Sequence, residues 1–140
     1  MGRGAAEGCH AADCAFDHGY WGRPEDYGSY MYAYQRRTYT INASHPGTEI
    51  WASASAALAS ADLLLRGEME SYAEQLRRVA VALFDCATLH NLQNNNLDDA
   101  LPEVSPQYVS WGFTDELGWA AAWLYDATRD ERYADAFKVC

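Results

Sequence analysis

The chain is short of positive charge, of paired cysteines and of long apolar runs, and each shortage closes off a class of function. Lys and Arg number 10 against 20 Asp and Glu, giving a formal charge of −10 and a pI of about 4.6. A phosphate backbone calls for clustered cations, so no nucleic-acid partner is expected, nor an anionic membrane surface. An uncharged or cationic ligand suits this charge better. No apolar stretch approaches the roughly 20 residues of a membrane span. The opening residues, MGRGAAEGCHAADCAF, lack the apolar middle of a signal peptide. Ala6 stands where a myristoylation signal wants Ser or Thr. The four cysteines, Cys9, Cys14, Cys86 and Cys140, show no CxxC spacing, so zinc is not expected. Two disulfides or four separate thiols both fit. No internal repeat period is visible.

What is present is aromatic and helical. The 140 residues make about one domain, 49% hydrophobic and 14% aromatic, with 10 Tyr and 5 Trp. Tyr and Trp join an apolar face to a polar tip, which suits a surface that grips polar ligands. Residues 1–47 are rich in Gly, Tyr and polar side chains and read mostly as loop, with a strand-like piece within 30–41. Asn42-Ala43-Ser44 is a glycosylation sequon, relevant only to a secreted chain.

From Gly47 the pattern becomes helical. TEIWASASAALASADLLLR predicts a helix capped by Thr48, ended by Gly67, with Ile50, Ala54, Ala57, Leu58, Ala61 and Leu65 on one face. A second helix is predicted from a Ser71/Glu74 capping box. Its stripe is Tyr72, Leu76, Val79, Leu83 and Cys86, and Glu74 can pair with Arg78. A long connection, 93–113, holds two prolines and an Asn run, and such loops are often functional. A third helix begins at Thr114, with Asp115 and Glu116 in its first turn and Leu117, Ala120, Ala121 and Leu124 facing inward. ERYADAFKVC starts a fourth helix, and with no stop signal there the chain reads as a piece of a larger protein. The sum is two antiparallel αα-hairpins with long loops, an arrangement that suits a closed helical toroid with a ligand cleft.

The stretch DHGYWGRPED, residues 17–26, concentrates chemistry on a loop. Its glycines and Pro24 are expected to break any regular element. Asp17 can orient the His18 ring or cap a turn. Trp21 offers a flat indole and His18 a hydrogen-bonding imidazole. The plainer reading of Trp21 is packing beneath the loop. Arg23, Glu25 and Asp26 are expected to hold the loop's shape through an arginine–carboxylate fork.

These residues resemble family 9 glycoside hydrolases, endoglucanases that cut β-1,4-glucans. DHGYWGRPED is similar to that family's Asp-His-x-x-Trp-x-Arg-Pro-Glu-Asp loop. PGTEIWASASAALASA is similar to its Pro-Gly-Ser-Asp…Thr-Ala-Ala-Ala-Leu-Ala-Ala segment, and GFTDELGWAAAWLYDATRDERY to its Gly-Tyr-x-Asp-Glu-Leu block. The blocks keep the family's order and span nearly the whole chain. Departures are Glu49 for Asp, Ser53 for Glu, Trp111 for Ser, Phe113 for Tyr, and CHAADCAF where the family has a Gly-Asp-Gly stretch.

The resemblance implies an all-α fold, part of an (α/α)6 toroid. Residues 1–140 would be a partial catalytic domain, 1–47 forming cleft loops and 48–140 the hairpins. It implies inverting hydrolysis by two carboxylates. In the family the base sits in an upstream Asp-Ala-Gly-Asp motif and the acid near the domain's C-terminus. Neither motif occurs in this sequence, and Asp13 is not promoted to base. The resemblance makes His18 and Trp21 β-glucan subsite residues, and Gly112, Asp115 and Glu116 ligands of a structural calcium. A secreted, monomeric parent is implied. The alternative is a non-catalytic helical carbohydrate-binding or interaction protein built on the same scaffold.

Overall fold

The computed structural model describes residues 19–31, 40–90 and 112–140. Asp17, His18, Cys9, Cys14, most of the strand-like piece and most of the long connection lie outside the described residues. The described chain forms five α-helices, and no strand occurs among those residues apart from an isolated bridge between Asn42 and His45. The chain divides into two compact units. One contains α1 (Pro24–Met31), and the other contains α2 (Thr48–Leu65), α3 (Glu70–His90), α4 (Thr114–Thr128) and α5 (Glu131–Val139).

Pro24 does not break the loop but opens a helix. Proline at a first helical position loses no backbone bond and arrives with a helical φ. Glu25 and Asp26 follow it in the first turn, where the helix dipole favours acids.

In the helical unit, α2 packs against both α3 and α4, and α5 folds back on α4. The buried side of α2 is Thr48, Trp51, Ala52, Ser55, Ala56, Ala59 and Asp62. This is a different face from the expected one, since Ala57 is exposed and Ile50, Leu58 and Leu65 are only half-buried. The physical reason is the size of the side chains. Alanine and serine let helix backbones approach closely, and the polar members of the stripe find partners across the gap. The Thr48 hydroxyl donates to the Ala87 carbonyl at 3.3 Å, and the Ser55 hydroxyl to the Ala80 carbonyl at 2.7 Å. A buried hydroxyl with a partner costs little, whereas one without is expensive.

The same correction applies to α3. Its buried residues are Ala73, Ala80, Phe84 and Ala87, while Tyr72, Val79 and Cys86 are exposed. Val79, Leu83 and Cys86 of the predicted stripe instead line a shallow concavity of about 360 Å³, together with Gln75, Arg78 and Ala82. The inward side of α4 agrees better with expectation: Ala120, Ala121 and Leu124 are buried, joined by Gly118 and Ala127. Gly118 has the Cys140 Cβ only 3.3 Å from where its own Cβ would stand, so a larger residue would press α4 away from the chain end.

Helix ends depart from the predicted caps. Thr48 and Thr114 lie inside their helices, with Gly47 and Phe113 at the cap positions and no side-chain cap bond at either. Ser71 is likewise within α3, because the helix starts at Glu70. Gly67 is not the left-handed cap either. α2 closes on Arg66 in right-handed geometry, and Arg129, at φ 58°, is the described residue that takes the left-handed turn after α4. Asp130 does cap α5, its side chain accepting from the Arg132 amide at 3.0 Å. The Glu74–Arg78 pair forms at 3.3 Å, exposed and of small energetic weight.

Among the described residues, one ionic joint has a buried member. Asp62 is fully enclosed, and Arg66 reaches its Oδ2 at 2.6 Å, with Arg77 of α3 at 3.6 Å. Arg66 also donates to the Ala127 carbonyl at 3.1 Å. The cluster therefore ties the end of α2 to α3 and to the last turn of α4. At the other side of the unit, Phe84 meets Tyr133 edge-on at 5.3 Å, fastening α5 to α3.

Candidate functional site

Two places collect the candidate side chains, one in each unit. In the first, residues 20–27 make a tight turn into α1. Trp21 stands 94% exposed at this turn. Arg23 and Asp26 form a fork, Nε to Oδ2 at 3.0 Å and Nη2 to Oδ1 at 3.4 Å. Both are largely exposed, so the pair fixes geometry more than it stabilises. Glu25 is exposed beside them. The Tyr20 hydroxyl donates to the Arg23 carbonyl at 2.7 Å, and its ring sits 5.1 Å from that of Tyr27. His18 and Asp17, the other polar groups of this loop, lie outside the described residues. An indole held out from a polar turn can stack on the apolar C–H face of a sugar ring or on another flat ligand.

The second place is the start of α4. Gly112 precedes the helix, and Asp115 and Glu116 occupy its first turn. Burial pushes the Glu116 carboxyl above its ordinary value, a hydrogen bond to Asp115 adds to that, and the charges of Asp115 and Glu49 push the same way. Glu116 Oε2 is buried without a hydrogen-bond partner. Glu49, in the first turn of α2, therefore belongs to this acidic group, though the sequence marked it only as a departure from the family pattern. The signal available was an acid in the first turn after Pro-Gly, and nothing in the spacing said that α2 and α4 would start side by side. Among the described residues, no three His, Cys, Asp or Glu are grouped so as to complete a metal site. No described helix is long and apolar enough to cross a membrane.

Antiparallel αα-hairpins of this kind, all helical and packed through small residues, are part of an (α/α)6 toroid. Residues 4–139 match Glycosyl hydrolase family 9, and the chain belongs to that family. It is 39% identical over 120 residues to Endoglucanase 1 of Oryza sativa subsp. japonica, covering 85% of this chain and 18% of the relative. It is 40% identical over 124 residues to Endoglucanase 2 of Arabidopsis thaliana, covering 88% and 22%. Among solved structures it superimposes on the endoglucanase from the termite Nasutitermes takasagoensis with a TM-score of 0.67 at 33% identity, over 87% of this chain and 26% of that one. The catalytic domain of Clostridium thermocellum CelT gives 0.68 at 32%, over 86% and 23%. The chain thus spans about a fifth of the length of these curated relatives.

Proposed function

We propose that residues 1–140 form part of the catalytic domain of a β-1,4-glucanase that hydrolyses internal bonds of cellulose-like glucans with inversion. The observation that carries this is Trp21, held 94% exposed in a loop matching the family's pattern. Its indole would cover the apolar face of a glucosyl ring, with His18 bonding the hydroxyls. Residues 1–47 then contribute cleft loops and 48–140 their helical support. Inversion needs a carboxylate that activates water and a carboxylic acid that protonates the leaving oxygen. Neither family motif for that pair occurs in this sequence, so the isolated chain is expected to be inactive on carboxymethylcellulose. The relatives' names do not favour the non-catalytic alternative. A β-glucan substrate, a monomeric full domain and an extracellular site of action belong to the same reading. The test is proton NMR of cello-oligosaccharide hydrolysis by the full-length protein. The first product formed should be the α-anomer, and a β-anomer or no turnover would sink the proposal.

A structural calcium at the start of α4 belongs to this reading too. The residues present fit a hard cation: Asp115 and Glu116 offer carboxylate oxygens, one of them buried without a partner, and Gly112 could add a carbonyl. Further ligands would come from outside the described residues. A cation would offset the mutual repulsion of these acids. Without it, Glu116 has a folded value above its unfolded one. That contribution to stability is fully present below the unfolded value and is lost as pH rises through the folded one. In EGTA at neutral pH, Glu116→Gln should therefore melt above the wild type. Calcium at about a hundred times its Kd should stabilise the wild type by about 2.7 kcal/mol, and Asp115→Ala should abolish the shift. An unchanged wild-type melting temperature between EGTA and millimolar calcium would reduce both acids to helix-start residues.

A further inference from the structure

Tyr20 and Gly22 flank Trp21 at the two places the family pattern leaves open: Asp-His-x-x-Trp-x-Arg has no fixed residue before or after the indole. In this chain they are filled by a matched pair. The Tyr20 ring crosses directly over Gly22. A Cβ on Gly22 would fall 2.5 Å from the Tyr20 hydroxyl oxygen and 2.6 Å from Cζ, distances no real side chain holds. The tyrosine can lie there only because position 22 has no side chain. Its hydroxyl donates to the Arg23 carbonyl at 2.7 Å, three residues on, so the ring bridges the turn on which Trp21 sits. Tyr27, one turn into α1, packs against the same ring at 5.1 Å and 59°. Arg23 is fixed in turn by its fork to Asp26. Desolvation and the neighbouring Asp26 charge push the Tyr20 phenol above its ordinary value, so it remains a donor.

We propose that Tyr20 is the positioning residue for Trp21: by bridging the turn across Gly22 it holds the backbone that carries the indole, so that the ring is projected outward toward a glucosyl ring. The proposal rests on the reading of Trp21 as a sugar-stacking residue. A turn free to swing must be ordered when substrate arrives, and that ordering weakens binding. A backbone already held avoids that part of the loss. Because Trp21 is 94% exposed, the direction in which its side chain leaves the chain is set by the backbone of residues 20–23, and Tyr20 spans those residues.

The experiment uses the full-length protein labelled with 5-fluorotryptophan, the Trp21 resonance being assigned by its absence in Trp21→Phe. Tyr20→Phe removes the bridging bond and keeps the ring. Gly22→Ala leaves Tyr20 intact and drives its ring off the turn. Both are expected to broaden or average the Trp21 fluorine signal while far-ultraviolet circular dichroism stays unchanged. Binding is read with cellotetraose. Tyr20→Phe should weaken it about three- to tenfold, the worth of one hydrogen bond, and should have no further effect in a Trp21→Ala background. An unaltered Trp21 signal in both variants would overturn the proposal, as would an equal loss of affinity with and without the indole. If Trp21→Ala itself leaves cellotetraose binding intact, the sugar-stacking reading fails, and the fluorine signal still decides whether Tyr20 positions the indole.

Discussion

Replacing Asp62 with alanine is expected to cost the full-length protein about 3 kcal/mol of stability, because it breaks a buried ionic joint from its enclosed side. Asp62 is fully buried, and its Oδ1 makes no hydrogen bond, so the carboxylate depends on the arginines at Oδ2. Arg66 and Arg77 are 39% and 36% exposed, so once orphaned they can still reach water. That exposure holds the expected loss near the lower end of the usual range. Arg66 also bonds the Ala127 carbonyl, so the joint links three helices and its loss should loosen the end of α4. Replacing Asp62 and Arg66 together with apolar residues, Asp62→Leu with Arg66→Met, should destabilise less than Asp62→Ala alone, since the one charge left behind, Arg77, is 36% exposed and can reach water. Denaturant titration of the three proteins would measure this. A loss below about 1 kcal/mol in Asp62→Ala, the range of a surface pair, would show that the joint is peripheral.

Trp21→Ala in the full-length protein should lower kcat/KM on cello-oligosaccharides roughly ten- to hundredfold, corresponding to about 1–3 kcal/mol of lost transition-state stabilisation. The exposure of Trp21 makes this an unusually clean substitution. A ring that touches little of its own protein can be removed with little effect on stability, so the melting temperature should barely move. His18→Ala should act in the same direction through lost hydroxyl bonds. Wild-type kinetics in both variants would remove the loop from the substrate cleft.

The four helices from Thr48 onward were legible in the sequence because alanine-rich and leucine-rich runs leave few alternatives, while the short helix Pro24–Met31 was read as loop. The existence, order and hairpin pairing of those four came through. Which side faces inward did not. In α2 and α3 the larger aliphatic residues set the apparent stripe, but the close contacts are made by Thr48, Ser55, Ala59, Ala73, Ala80 and Ala87. Hydropathy undervalues small and hydroxylated residues, whose contribution lies in letting backbones meet. α4 was read better, because Ala120, Ala121 and Leu124 are both the apolar and the inward residues. Pro24 misled for a local reason: the same ring that disrupts a helix interior is favourable at its first position. At the candidate site, the Arg23–Asp26 fork was visible from residue types alone. The Tyr20 bridge and the nearness of Glu49 to Glu116 were not, since both depend on how the backbone turns.

The alanine and serine faces between α2 and α3 bear on how this protein responds to cold. A one-carbon side chain removes little apolar surface from water when it is covered. The heat capacity released on unfolding grows with that surface. A contact built from close backbones, dispersion and two hydroxyl–carbonyl bonds therefore carries less of the hydration-driven stabilisation that fades on cooling. Calorimetry of the full-length domain is expected to give a value below the usual 12–15 cal/mol/K or so per residue, whereas a value at or above it would mean that larger apolar contacts dominate. The flatter stability curve that follows would keep these helices together over a wider span of low temperatures than a leucine-filled bundle of the same length.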